Sequence, residues 1–261
     1  MRNVAPSRSL VRRANQLKSL AFLVGAVGVF ALALGLFMNA VPIVVPSAPG
    51  YGAYTLASDA ILLAGILLGI TALALAIRAF TWKVDNDLAK ITADALTQQM
   101  NAPNVGRRLD DRYVFIRNVS KFQIGYVDAV LLGPPGILIL RILDVEGSFA
   151  NEFADWLRQT GSDQAPEFLP ARIDPSRETI KDMNKTREFL AARGFDNLPI
   201  YGLVVFTNPR VRLTADRPHV PITHVNHLYA NLRHDYLAML DRLGDEQIEA
   251  IERELCGGRC Q

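Results

Sequence analysis

Charge is almost missing from one long part of this chain. Between Lys18 and Arg78 the only acidic or basic residue is Asp59. Cysteine is scarce too: Cys256 and Cys260, in a C-terminal Cys-Gly-Gly-Arg-Cys, make half a metal site at best. The chain has no internal repeat and no low-complexity block. It has no phosphate-cradling glycine loop, because Gly133-Pro-Pro-Gly136 lacks the lysine and the following helix such a loop needs. No Ser/His/Asp or Cys/His nucleophile arrangement can be assembled from local sequence.

The uncharged part holds two long apolar runs, Ser19 to about Val45 and Ala60 to about Phe80. Each reaches the roughly 20 residues a helix needs to cross a bilayer. Pro, Gly and Tyr fill the connector between them. A cleaved signal peptide would have an apolar region of only about 7–15 residues and no second run. The pattern therefore predicts a transmembrane hairpin over residues 19–81, after a basic tail at 1–18. Arg2, Arg8, Arg12, Arg13 and Lys18 precede the first span, Arg78 and Lys83 follow the second, and the loop has no Lys or Arg. That bias predicts a multi-pass protein of the inner (plasma) membrane with both termini cytoplasmic. The bilayer is thus an expected partner.

The formal net charge of +2 hides an asymmetry. From Arg78 onward there are 23 basic and 25 acidic side chains. A domain that mainly gripped nucleic acid would usually be basic. Nucleic acid is therefore the less favoured partner, and an unidentified protein the more favoured one. A local basic group, Arg107, Arg108, Arg112, Arg117 and Lys121, reads first as a solvated face and second as a nucleic-acid contact. His224, His227 and His234 could share a helix face, and zinc would also need the distant cysteines. Surface or capping histidines are the simpler reading, so no metal site is predicted. The cysteines are expected to stay reduced in a cytoplasmic domain.

Residues 82–255 read as one α/β domain with a central mixed sheet, followed by a tail at 256–261. A helix is predicted from about Val84 to Met100, and strands around Tyr113, Ile124–Leu132 and Ile137–Leu143. Asp174 before Pro175 marks a helix start, with Ile180, Met183 and Leu190 on its apolar face and Gly194 at its end. Ile200–Phe206 reads as a buried strand. A short strand near His219–Thr223 and helices at about Val225–Leu240 and Asp245–Leu255 complete the pattern. Gly161–Pro166 is predicted as loop.

One hairpin stands out: Tyr126-Val-Asp-Ala-Val-Leu-Leu-Gly-Pro-Pro-Gly-Ile-Leu-Ile-Leu-Arg-Ile-Leu-Asp-Val-Glu-Gly147. Asp128 and Arg141 sit inside its oily runs, and isolated buried charges are costly. The hairpin resembles the Asp-bearing hairpin of the nuclease-related domain (NERD) family, in the PD-(D/E)XK nuclease superfamily. Asp174-Pro-Ser-Arg-Glu178 resembles that family's Asn-Pro-x-x-Gln helix start, and Leu203-Val-Val-Phe-Thr-Asn208 its later strand. The resemblance covers about Tyr113–Leu232. It implies a restriction-endonuclease-like αβββαβ core and, in active members, a Mg²⁺-dependent DNA nuclease.

The chain departs from the family at its centre. Asp128 takes the metal-binding Asp position, but the Glu position is Arg141 and the Lys position is Leu143. Asp94 is the nearest acidic candidate from the upstream helix. Asp144 and Glu146 lie on the other strand face from Arg141, so only a bulge after Leu143 would bring Asp144 round. A guanidinium in the Glu position would repel Mg²⁺ and pair with Asp128, in bidentate fashion at best. Two functions follow. The first is a membrane-anchored binding or scaffold protein on a degenerate nuclease fold, with Asp128–Arg141 as a structural ion pair and no cofactor. The second is a Mg²⁺-dependent DNA nuclease rearranged around Asp128, Asp144 and Glu178.

Overall fold

A computed structural model of the protein describes residues 1–5, 8–101, 109–162 and 165–258. The chain divides into two compact units, Ser9–Val84 and the remainder, Met1–Arg8 with Asp85–Gln261.

The first unit contains helix α1 (Arg8–Ala40) and the N-terminal part of α2 (Tyr51–Met100). Both are long and apolar enough to cross a membrane, with spans at Ala14–Ala40 and within Tyr51–Met100. Their large side chains face outward: Phe22 is 79 % exposed and Phe30 69 %. The faces that meet are small. A Cβ on Gly35 would fall 2.8 Å from the Leu62 backbone, and one on Gly65 would fall 2.6 Å from that of Leu32. Small residues that let helix backbones approach are the usual device where no hydrophobic effect drives helices together. Ser58 Oγ donates to the Gly35 carbonyl at 3.2 Å and is buried.

The second unit is built on a six-stranded sheet. Its strands are β1 (Arg2–Val4), β2 (Val114–Lys121), β3 (Gly125–Gly133) and β4 (Gly136–Leu143) from the first half. Further along are β8 (Ile200–Phe206) and β10 (Ile222–His224), giving the order β1-β2-β3-β4-β8-β10. Strands β2, β3 and β4 are antiparallel neighbours, joined at β3–β4 by the Pro134-Pro135 turn, and β8 runs parallel to β4. The end of α2 covers one face, with Ala89, Ala93, Leu96 and Met100 in the core at helical spacing. Helices α3 (Pro175–Ala191) and α5 (Asp245–Cys256) cover the other with Phe189, Leu190, Ile248 and Ile251. The mixed sheet between helices is the α/β architecture anticipated.

Several elements differ from the sequence reading. Residues 2–4 of the expected basic tail are a strand, paired parallel to β2. The chain from Gly147 on forms a second sheet of β5 (Gly147–Glu152), β6 (Asp155–Ser162), β7 (Ala165–Pro170) and β9 (Val211–Asp216), in the order β7-β6-β5-β9. Its alternation is weak because its outer residues are exposed: Phe168 is 49 % exposed and Leu169 46 %. The helix expected at Val225–Leu240 is a broken series, a 3₁₀ turn, α4 (Leu228–Asn231) and a π turn ending at Tyr236. On α3 the Asp174 cap forms as predicted, its carboxylate accepting from Arg177 N–H at 3.0 Å. Ile180, however, is 40 % exposed, and Ser176, Thr179, Asp182 and Thr186 take the inner face. Cys256 is disulfide-bonded rather than reduced. Left-handed Gly257 turns the chain directly after it, and Cys260, the only other cysteine in the sequence, lies outside the described residues.

Candidate functional site: an arginine among carboxylates

The site begins with a slip in strand alternation. Val127 and Val130 lie in the same core cluster, three residues apart, so the two-residue period breaks at Asp128. On β2 Asn118 has φ 55°, between Arg117, which pairs with Ala129, and Val119, which pairs with Val127. Asp128 sits where the β3–β4 ladder ends. Its Oδ2 accepts the Ile142 N–H at 2.8 Å, so a side chain satisfies a backbone donor there.

Arg141 lies on β4 beside it. Its Nε is 3.8 Å from Asp128 Oδ2, its Nη1 is 3.8 Å from Asp182 Oδ2, and its Nη2 donates to Glu178 Oε2. Glu178 and Asp182 are four apart on α3, so both lie on one side of the helix, Asp182 buried and Glu178 exposed. The contact with Asp128 is therefore a single approach and not the bidentate pair anticipated. Arg141 Nε has no hydrogen-bond partner among the described residues. One guanidinium bridges three carboxylates, with Glu178 its closest partner.

Electrostatics follow from burial. Asp128 is pushed up to about 6 by desolvation, with Arg141 and the Ile142 N–H opposing and Asp85 and Asp182 adding to the rise. Asp182 is also raised to about 6 by burial, against the pull of Arg141, Lys185 and Lys181. Asp85 on α2 is raised by burial and lowered by Arg141. Burial would lower Arg141, but Asp128, Glu178 and Asp182 more than offset it and hold it above its ordinary value. Tyr126, whose hydroxyl donates to Asn118 Oδ1 at 2.8 Å, is raised by burial and by the nearby acids.

The structure thus brings Asp128, Arg141 and Glu178 together and adds Asp182 and Asp85. Asp144 is exposed, and Glu146 pairs with Arg210 at 3.5 Å. Asp94 is exposed, so the acid that α2 offers is Asp85. The i, i+4 spacing from Glu178 could have pointed to Asp182 in the sequence; nothing local pointed to Asp85. Leu143 packs in an apolar cluster with Phe206 and Val220.

Of the basic group, Arg107 and Arg108 lie outside the described residues. Arg112 pairs with Asp110 at 3.1 Å and Asp241 at 3.8 Å. Arg117 and Lys121 are half-buried, and burial lowers Lys121. His224 caps the 3₁₀ turn, its Nδ1 accepting from Asn226 N–H at 3.2 Å. His227 and His234 are exposed. Among the described residues no group of His, Cys, Asp or Glu side chains is arranged to hold a metal ion.

No family model, curated protein or solved structure matches this chain.

The residues present do not fit a Mg²⁺ of the kind the nuclease resemblance implies. Such an ion needs close oxygen ligands. Here the oxygens of Asp128, Glu178 and Asp182 converge on a guanidinium, whose charge repels a dication.

Proposed function

We propose that this is a membrane-anchored protein whose cytoplasmic domain is a degenerate nuclease-related fold acting in binding or scaffolding. The observation that carries the reading is Arg141, set among Asp128, Glu178 and Asp182 where the family would place metal chemistry. The order α2, β2, β3, β4, α3, β8 agrees with an αβββαβ core into which β5, β6 and β7 are inserted between β4 and α3. The two apolar helices support the anchor. Pairing of β1 with β2 supports termini on one side: the chain before α1 joins the sheet that follows α2. An even number of crossings permits that, and the Lys and Arg bias favours the cytoplasm of a bacterial-type inner membrane; the Cys256 disulfide speaks against a reducing compartment. No cofactor is required. An unidentified protein is the favoured partner, ahead of nucleic acid.

The test is incubation of the purified protein with plasmid DNA and Mg²⁺ or Mn²⁺, beside Asp128→Ala. The expected result is no cleavage that depends on Asp128. Cleavage lost in the variant would establish the rearranged nuclease instead.

A further inference from the structure

The β2–β3 hairpin runs past its neighbour in the sheet. The β3–β4 ladder ends at Ala129 and Leu140, whereas β2 and β3 stay paired as far as Lys121 and Gly125. Gly125, in the left-handed region with φ 89°, closes the tip. Ile124 turns inward and is buried in the core cluster that holds Phe189 and Leu190. Phe122 turns outward and is 105 % exposed, so it adds nothing to the packing of the fold. One exposed apolar side chain is ordinary; the surroundings of this one are not.

Beside the tip lies an open concavity of about 490 Å³. Phe122 and Phe195 line it together with three cations, Lys121, Arg193 and Arg253, and one acid, Glu254. Arg193 already holds Glu254 at 2.9 Å. Lys121 is half-buried, and burial pushes its ammonium down because a charge there is poorly solvated. An anion set beside it would favour the charged form. An aromatic ring among Lys and Arg suits the boundary of a bilayer, where the ring meets acyl chains and the cations meet anionic headgroups.

Chain length keeps the tip near such a surface. The second apolar run ends at about Phe80, and Asp85 on α2, five residues later, belongs to the sheet-bearing unit. Five residues reach at most roughly 18 Å, even fully extended. Asp85 acts electrostatically on Tyr126. Tyr126 pairs with Ser120, and Phe122 lies two residues, roughly 7 Å, beyond Ser120. The entry of α2 and the hairpin tip therefore share one end of this unit.

We propose that the β2–β3 tip docks on an anionic bilayer surface, with the Phe122 ring at the acyl boundary and Lys121 and Arg253 on lipid phosphates. The inference rests on the membrane-anchor reading, and neither on the Arg141 cluster nor on the nuclease resemblance. An anchored domain meets its own bilayer at high effective concentration, so a weak docking surface suffices.

The test uses the full-length protein in nanodiscs of phosphatidylglycerol or phosphatidylcholine with brominated acyl chains. Bromine quenches a tryptophan only at acyl depth. The chain has two tryptophans: Trp82, just past the second apolar run, reports on the anchor, and Trp156, 5 % exposed within the sheet-bearing unit, is a silent background. Phe122→Trp adds a reporter at the tip. It should show quenching beyond that of the parent in phosphatidylglycerol discs, and less in phosphatidylcholine. Each cation near an anionic surface accounts for about fivefold in binding, so Lys121→Gln with Arg253→Gln should weaken docking about 25-fold. Salt near 1 M should act in the same direction with no further substitution. Quenching of Trp82 with none added at position 122 would overturn the proposal and leave the anchor standing; no quenching at either would overturn both. Equal quenching in the two lipids, indifferent to salt, would also overturn it. Shielding of position 122 that needs added DNA, or that grows with protein concentration, would assign the tip to nucleic acid or to a second copy, and either result overturns it.

Discussion

The helices of Ser9–Val84 and the Arg141 cluster break the ordinary burial rule in opposite directions. Proteins in water place apolar side chains inside and charges outside. In the helices Phe22 and Phe30 face outward, whereas in the sheet Phe115 and Phe206 are fully buried. At the cluster the inversion concerns charge: Asp128 and Asp182 are each 8 % exposed. Outward apolar groups need a different solvent, and the bilayer proposed here supplies it. Inward charges need partners, and the guanidinium supplies those. Each inversion is compensated by a different agent, so removing either agent should expose the difference.

The largest effect is expected from Arg141→Ala. It leaves Asp128 and Asp182 buried without their shared cation, at a cost of about 3–5 kcal/mol. Unfolding followed by tryptophan fluorescence would measure it; a change within experimental error would mean the cluster is not held by Arg141. Next comes the helical unit. Leu67, 56 % exposed, lies in the proposed second span. Leu67→Arg should cost about 2.5–3.5 kcal/mol of insertion near a helix centre. Carbonate extraction should then release a larger soluble fraction, and unchanged partition would break the membrane side of the comparison.

A smaller effect is expected at β1. Arg2 grips Glu252 through two hydrogen bonds, at 2.6 and 3.3 Å, and Glu252 is 8 % exposed. Arg2 is 45 % exposed, so solvent screens the pair. Arg2→Ala should destabilise by about 1 kcal/mol, with recovery in the charge-swapped Arg2→Glu, Glu252→Arg protein. No recovery would mean that the pair does not fasten β1. The smallest signal is a pH slope. A carboxylate raised to about 6 in the fold, above its unfolded value, adds stability at low pH that is lost as pH rises through about 6. Asp128→Asn cannot ionise, so its stability relative to the parent should climb between about pH 4 and 6 and level off above that. A flat difference would show that Asp128 titrates normally.

Much of the fold was readable because it rests on local rules. The Asp174-Pro175 helix start, the Gly-Pro-Pro-Gly turn and the apolar run of β8 each carry their own signal. The second sheet was not, because β6 and β7 project exposed apolar residues and lack a clean period. Strand β1 was hidden within a basic tail whose charges suit topology as well as pairing. At the site, Asp128, Arg141 and Glu178 were visible as charged residues in notable places. Their convergence on one guanidinium depends on how α3 docks, which no local pattern encodes. The slip at Asp128 shows in the sequence only as two apolar residues of one core cluster, Val127 and Val130, three positions apart.

Direct Mn²⁺ binding tests the central claim that Arg141 takes the place of a metal cation. Paramagnetic resonance would count bound Mn²⁺ on the intact protein and on Asp128→Ala. With the guanidinium in place, both proteins should show the same weak, nonspecific uptake. A stoichiometric site in the parent that disappears in Asp128→Ala would contradict that claim.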